Sequence, residues 1–160
     1  LLNGLNKLLR LNLWGNQLET IPDGFFYENR DLRELSLWGN EISELEEHFF
    51  AGLWKLKKLD LDRNKITKLS KIAFKHQSAL QILFLGENQI SEIQKDSFEY
   101  LENLRVLHLD GNKLNAFFPY TFAKLRSLRI LDLTNNKLNY VVDNYFANMQ
   151  NITEIRISNN

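Results

Sequence analysis

The 160-residue chain has no cysteine, two prolines, one methionine and no excess of either charge, with 20 Lys and Arg against 20 Asp and Glu. The missing cysteine removes a disulfide framework, thiol catalysis and any zinc site built on thiolates. Balanced charge removes the long-range attraction that non-specific nucleic-acid and anionic-membrane binders use, so such partners would need a local basic patch. No apolar run approaches the ~18 residues that mark a membrane-crossing helix. The opening Leu1-Leu2-Asn3-Gly4-Leu5 has neither a basic start nor a long apolar core, so no leader is read there, and the natural N-terminus is expected upstream. Also missing are G-x-G-x-x-G, the P-loop, G-x-S-x-G and H-E-x-x-H. His48, His76 and His108 stand at unrelated places in the pattern below, which gives no basis for a shared metal or a base beside a nucleophile. The expectation is a chain without catalytic residue, cofactor or metal, and so not an enzyme. With 44% hydrophobic and 25% charged residues it has the composition to fold around a core.

What is present is a repeat. Asn16, Asn40, Asn64, Asn88, Asn112, Asn136 and Asn160 recur at a constant interval of 24 residues. Five and three residues before each Asn stand apolar pairs, from Leu11 and Leu13, Leu35 and Leu37, through to Ile155 and Ile157. Their two-residue spacing is that of a short strand with one face inward. Ten residues after each Asn comes Phe26, Phe50, Phe74, Phe98, Phe122 or Phe146, the expected spine of the returning half-repeat. Stacked units would make a parallel sheet covered on its inner side by that half. A buried Asn column is tolerable when its amide bonds backbone groups where the chain leaves the strand. Leu53, Leu101, Leu125 and Met149 follow their Phe by one helical turn, so the convex side is expected to be partly 3₁₀ or α-helical. Asn29 and Gln77 interrupt that column, which predicts convex turns that differ between repeats. The run Phe117-Phe118-Pro119-Tyr120 predicts a bulge or exposed apolar surface.

The pattern L-x-x-L-x-L-x-x-N-x-L-x-x-I/L, with Phe in its second half, resembles the leucine-rich repeat in its 24-residue form across essentially the whole chain. The resemblance implies an α/β solenoid, a right-handed horseshoe with a parallel concave β-sheet and an irregular or 3₁₀ convex side. Residues 1–160 read as one solenoid of six full repeats with partial ends, an uncapped fragment of a longer protein. The Phe-spined form looks like the ectodomains of Toll and Toll-like receptors, variable lymphocyte receptors, small leucine-rich proteoglycans and secreted insect immune proteins. That likeness implies extracellular or cell-surface recognition of a macromolecular ligand by concave, strand-borne side chains.

With the inward positions committed to packing, the outward ones carry the functional reading. Trp14 and Trp38 occupy equivalent places in adjacent repeats and read either as a binding anchor or as a pair that packs on its own flanks, including the Arg10 and Arg33 stems, or supports a missing N-terminal cap. Ile82, Phe84, Val106 and Ile130 form a second apolar group. Lys58, Asp60, Asp62 and Arg63 lie between the two, with His108, Asp110 and Asp132 further along, a mixture that fixes a partner's register or is an ordinary solvated face. His108 with Asp132 reads as an ion pair or hydrogen bond across neighbouring strands. Arg33, Lys57, Arg105 and Arg129 make a basic stripe along one edge, read as solvated. The ligand-binding set is therefore Trp14, Trp38, Lys58, Asp60, Asp62, Phe84, Val106, His108, Asp110 and Asp132. The expected partner is a protein or other macromolecule, with nucleic acid excluded, a membrane reached only through a segment outside this chain, and a homo-oligomer allowed. Asn151-Ile152-Thr153 is an N-glycosylation sequon. The competing reading is a matrix or scaffold segment that self-associates.

Overall fold

The computed structural model describes residues 2–142 and 144–160; Leu1, the first residue of the opening segment considered above, lies outside them. In chain order the strands are β1 (Arg10–Asn12), β2 (Glu34–Ser36), β3 (Lys58–Asp60), β4 (Lys68–Leu69), β5 (Ile82–Phe84), β6 (Glu92–Ile93), β7 (Val106–His108), β8 (Ile130–Asp132) and β9 (Glu154–Arg156). Seven of them form one sheet in the order β1-β2-β3-β5-β7-β8-β9, every neighbouring pair parallel. The register advances by one repeat at each step, Leu11 facing Leu35, Leu35 facing Leu59, and so on to Leu131 facing Ile155. Columns read along the sequence are thus physical stacks of side chains. The central leucines Leu35, Leu59, Leu83, Leu107 and Leu131 are buried, while both flanking residues of β2, β3, β5 and β7 are half-buried on the opposite face. Burying each such leucine stabilises the fold by roughly 1.5–3 kcal/mol. Leu11 and Ile155, covered by a repeat on one side only, are half-buried.

The asparagine column joins the repeats. Asn88 Nδ2 donates to the Leu85 carbonyl of its own strand end at 3.2 Å and to the Leu61 carbonyl one repeat back at 3.0 Å, while Oδ1 accepts the Ile66 N–H at 3.1 Å. Asn40, Asn64, Asn112, Asn136 and Asn160 repeat this three-way clamp. Each amide satisfies backbone groups that no ladder partner reaches. The residue before each Asn turns the chain through the left-handed region: Gly15, Gly39 and Gly111, but also Arg63 (φ 55°), Glu87 (φ 50°), Asn135 and Asn159. Glycine takes that conformation freely, whereas a side chain there costs about 1 kcal/mol or more.

The convex side departs from expectation in three respects. Among the described residues it forms no helix; its curvature comes from successive turns closed by bonds between residues three apart, such as Leu53 N–H to Phe50 O and Leu101 N–H to Phe98 O. Asn29 and Gln77 do not alter those turns, because Asn29 N–H still bonds Phe26 O and Gln77 N–H still bonds Phe74 O. Both are buried, and their side-chain amides donate one repeat back, Gln77 to the Phe50 carbonyl at 2.9 Å and Asn29 to the Leu5 carbonyl at 3.0 Å. An amide at this place replaces leucine packing with a hydrogen bond and keeps the turn. The Phe spine holds from Phe26 to Phe122, but in the last repeat Tyr145 is the buried ring and Phe146 is only half-buried. The bulge is where the sequence put it: Phe117 turns inward against Tyr145 with ring centroids 4.0 Å apart, while Phe118 and Tyr120 remain about half exposed. One feature was not anticipated, a second, two-stranded parallel sheet of β4 and β6 on the returning side.

Replacing Asn88 with Ala leaves buried carbonyls and the Ile66 N–H unpaired, so denaturant unfolding should show a loss of about 3 kcal/mol. Asn16→Ala should lose less than about 1 kcal/mol, because exposed Asn16 bonds, among the described residues, only its own strand end, at Leu13 O and Trp14 O.

Candidate recognition surface

Three outward columns define the face opposite the leucines. At the strand ends the side chains are held by their own backbone: Asn12, Asp60 and Asp132 each accept, through Oδ1, the N–H two residues on, at 3.1, 3.2 and 2.9 Å. This local bond suits Asn and Asp to the place where a strand becomes a turn.

Trp14 and Trp38 meet edge to face, with centroids 5.8 Å apart, and Trp14 is 58% exposed. The Arg63 guanidinium lies over the Trp38 ring at 5.1 Å and also pairs with Glu87 through two nitrogens, at 2.9 and 3.1 Å. The flank expected from Arg10 and Arg33 is thus supplied by Arg63. Further along, the Phe84 ring carries Lys58 Nζ at 5.3 Å and packs against His108 at 4.8 Å. Ile82, Val106 and Ile130 form a half-buried aliphatic strip in adjacent strands.

Between the two aromatic groups the surface turns acidic. Gly86 stands in a column whose neighbours are Asp62 and Asp110, and both carboxylates converge on it. Asp62 Oδ1 accepts the Gly86 N–H at 2.6 Å, and a Cβ added to Gly86 would meet Asp110 Oδ1 at 2.9 Å. Asp62 is pushed up to about 7 by burial, against the Gly86 hydrogen bond, and further by the charges of Asp60, Asp110 and Glu87. Burial also raises Asp60 and Asp110 above the ordinary carboxylate range. Asp132 behaves differently: hydrogen bonds from Thr134 and Arg156 outweigh the effect of burial and hold it below that range.

The expected His108–Asp132 pair does not form. The two are register neighbours, but Arg156 takes Asp132 at 3.1 Å, and the carboxylate nearest His108 is Asp110, at 4.0 Å. Trp14 with Trp38, Phe84 with His108 and Lys58, and Asp60 with Asp62 and Asp110 are brought together, and Val106 joins the aliphatic strip. Three contributors escaped the sequence reading: Gly86, Arg63 as an aromatic cover, and Glu87. Their signal was a glycine in a column of larger side chains, and charged residues where Gly15, Gly39 and Gly111 stand in other repeats. Among the described residues there is no group of three acidic, His or Cys side chains placed to hold a metal. No described helix is long and apolar enough to cross a membrane.

An open parallel sheet carrying a varied side-chain face on a repeated frame defines a repeat solenoid. The chain belongs to the leucine rich repeat family, whose model matches residues 6–66, 54–114 and 102–160. Among solved structures it is similar to Toll-like receptor 13 in its complex with ssRNA13, with 32% identity and a TM-score of 0.94 over 98% of this chain and 22% of the receptor. It is also similar to Toll in the Toll–Spatzle complex of Drosophila, with 25% identity and a TM-score of 0.86 over 93% of this chain and 21% of that one. The chain therefore spans about a fifth of either receptor's length. No curated protein sequence matches it significantly. The expectation that excluded nucleic acid, drawn from the balanced charge of the chain, does not extend to its structural relatives: one similar receptor is solved with single-stranded RNA.

Asp62 gives this face a pH signature. An unfolded Asp ionises near 3.9, so between about pH 4 and 7 the folded chain holds a proton that the unfolded chain has lost, and stability falls as pH rises through that window. Asp62→Asn keeps an acceptor for Gly86 and removes the penalty. Thermal unfolding should show the variant more stable by about 1 kcal/mol at pH 8, after allowing for solvent screening, with the gain vanishing towards pH 4.

Proposed function

We propose that this chain is a non-catalytic recognition module of an innate-immune, Toll-like receptor type, acting outside the cell or at its surface, and that its concave face binds a protein ligand. The observation that carries this reading is the pairing of exposed Trp14, edge to face with half-buried Trp38, with an acidic centre on one continuous sheet face. Exposed tryptophans are unfavourable in water and dominate the energetics of interfaces, while charges around them select the partner. The similarity to Toll, solved in complex with Spatzle, favours a protein ligand. Asp60, Asp62 and Asp110 would repel a phosphate backbone, which disfavours the RNA that accompanies the other similar receptor. The remaining contacts are assigned to Lys58, Phe84, Val106, His108 and Asp132. With a protein partner isolated on the wild-type chain, Trp14→Ala combined with Trp38→Ala should weaken binding about thirtyfold, measured by calorimetry. Substituting Phe118 and Tyr140 on the convex side should leave affinity within about threefold; the opposite ranking would move the site to that side.

A second reading, self-association as a scaffold segment, has its own observation. Phe118, Tyr120, Tyr140 and Val141 are all about half exposed around the bulge, an apolar patch on the returning side. Sedimentation over a concentration series decides it, since concentration-dependent oligomers abolished by Phe118→Ser with Tyr140→Ser would establish this patch as a self-contact.

Asn151 is proposed as a glycan attachment site. It is exposed, and its Nδ2 donates to the Arg126 carbonyl at 2.7 Å, a bond that the second amide hydrogen preserves when the first is replaced by sugar. Expression through a secretory pathway should give one glycosidase-sensitive mass step that Asn151→Gln removes; an unmodified peptide from secreted protein contradicts it.

A further inference from the structure

The basic column that reads from sequence as a solvated edge has a definite geometry. Arg33, Lys57, Gln81, Arg105 and Arg129 stand where the chain enters successive strands, and each carbonyl before the last accepts two N–H groups of the next repeat. Arg33 O takes those of Lys57 and Lys58, Lys57 O those of Gln81 and Ile82, Gln81 O those of Arg105 and Val106, and Arg105 O those of Arg129 and Ile130, at 2.8 to 3.1 Å. The backbone under the column is thus pinned twice at every step. Each step is one strand spacing, about 4.8 Å, so Arg33 to Arg129 covers about 19 Å. All four basic side chains are exposed, Gln81 is half-buried, and the column holds no acidic residue.

Several other columns set opposite charges one repeat apart, as Lys65 with Glu41 and Lys68 with Glu92. This one sets like charges side by side, Arg33 with Lys57 and Arg105 with Arg129, and such neighbours repel. A groove of about 650 Å³ lies along its first half, lined by Arg33, Lys57 and Gln81 together with Arg10, Glu34 and Lys58 of the adjoining column. Its charged lining is four basic side chains to one acid, and that acid, Glu34, is already held by Arg10 at 3.1 Å. The acidic centre lies at the other end of the strands, Asp62 and Asp110 each following Lys57 and Arg105 by five residues, about 16 Å of extended chain.

We propose that this entry edge of the sheet binds a sulfated polysaccharide, with Arg33 and Lys57 in the groove and Arg105 and Arg129 continuing the line. The site is separate from the concave-face reading and stands or falls without it. Three observations select the occupant. A fixed row of cations in a groove is complementary to a linear polyanion, and the pinned backbone lowers the cost of ordering it. No aromatic side chain lines the groove, so the bases of a nucleic acid would have nothing to stack on, whereas single-strand binders combine basic grooves with aromatic platforms. The spacing also disfavours an acidic peptide, whose same-side carboxylates recur about every 7 Å along an extended chain, out of step with cations about 4.8 Å apart. A sugar ring advances its chain by close to one strand spacing, so sulfates on successive rings keep step with the row. Three of the four cations are arginines, whose planar fork takes two oxygens of one oxyanion.

The test uses a labelled heparin oligosaccharide, the same oligosaccharide stripped of sulfate, oligo-glutamate and single-stranded RNA, read by fluorescence anisotropy against the full chain near physiological salt. The sulfated probe should bind and its desulfated form should not. Arg33→Gln with Lys57→Gln should weaken it about tenfold or more, as should Arg105→Gln with Arg129→Gln. Thermal unfolding should show both variants folded, because the side chains are exposed and the bonds beneath them are backbone. Lys71→Gln with Lys95→Gln removes the same charge from exposed like-charged neighbours on the returning side and should stay within about twofold. Trp14→Ala with Trp38→Ala should leave the affinity unchanged. Absent binding of the sulfated probe, equal losses in the edge and Lys71–Lys95 variants, or a loss in the tryptophan variant would overturn the inference. RNA or oligo-glutamate binding as tightly as the sulfated probe would overturn the polysaccharide assignment.

Discussion

The asparagine amide at each strand end is the interaction on which the rest of the molecule depends, because it is where backbone from two repeats meets. A single strand of three residues has too few ladder bonds to hold its own register. The amide donates to two carbonyls 24 residues apart and accepts the N–H of the preceding repeat's outgoing segment, so it fixes both the stacking distance and the phase of successive turns. With phase fixed, the inward leucines fall into uniform stacks and the outward columns become a free surface. The same rule recurs on the convex side, where Gln77 donates one repeat back to Phe50. In both places a side-chain amide stands in for a secondary-structure partner that the geometry of a solenoid withholds.

That frame explains the distribution of charge. A regular repeat puts every basic side chain one strand from an acidic one wherever the columns alternate, and pairs such as Lys65–Glu41 and Lys68–Glu92 follow at 2.8 and 3.0 Å. Exposed pairs of this kind contribute little to stability. Where the alternation breaks, at Asp60, Asp62 and Asp110 around Gly86, carboxylates accumulate and burial lifts their protonation ranges. The left-handed backbone at Arg63 and Glu87 borders the same region. Glycine would hold that conformation without strain, as Gly39 and Gly111 do in neighbouring repeats, but would supply neither the cover over Trp38 nor the acidic rim.

The architecture was legible because it is written in periodicity. The Asn column, the inward leucines and the stacked Trp14–Trp38 neighbours all follow from a fixed interval, and the register carries each to its place. What periodicity could not give was choice among competing partners within a neighbourhood. His108 has Asp110 and Asp132 within reach, and only the position of Arg156 decides that Asp132 is taken. Asn29 and Gln77 looked like interruptions because they break an apolar column, whereas their amides point inward to carbonyls and keep the turn. Gly86 was visible in its column but silent, since an absent side chain acquires meaning only when Asp62 and Asp110 are seen to lean over it. Tyr145 took the last place in the ring spine through contact with Phe117, a pairing set by the bulge.

Hydrogen–deuterium exchange of the chain with and without its bound protein ligand tests the central claim most directly. The account predicts that protection gained on binding concentrates in the stretches from β2 to β7 that carry Trp38, Asp62, Gly86 and Asp110. Protection confined to the convex turns around Phe118 and Tyr140, with those stretches unchanged, would contradict it.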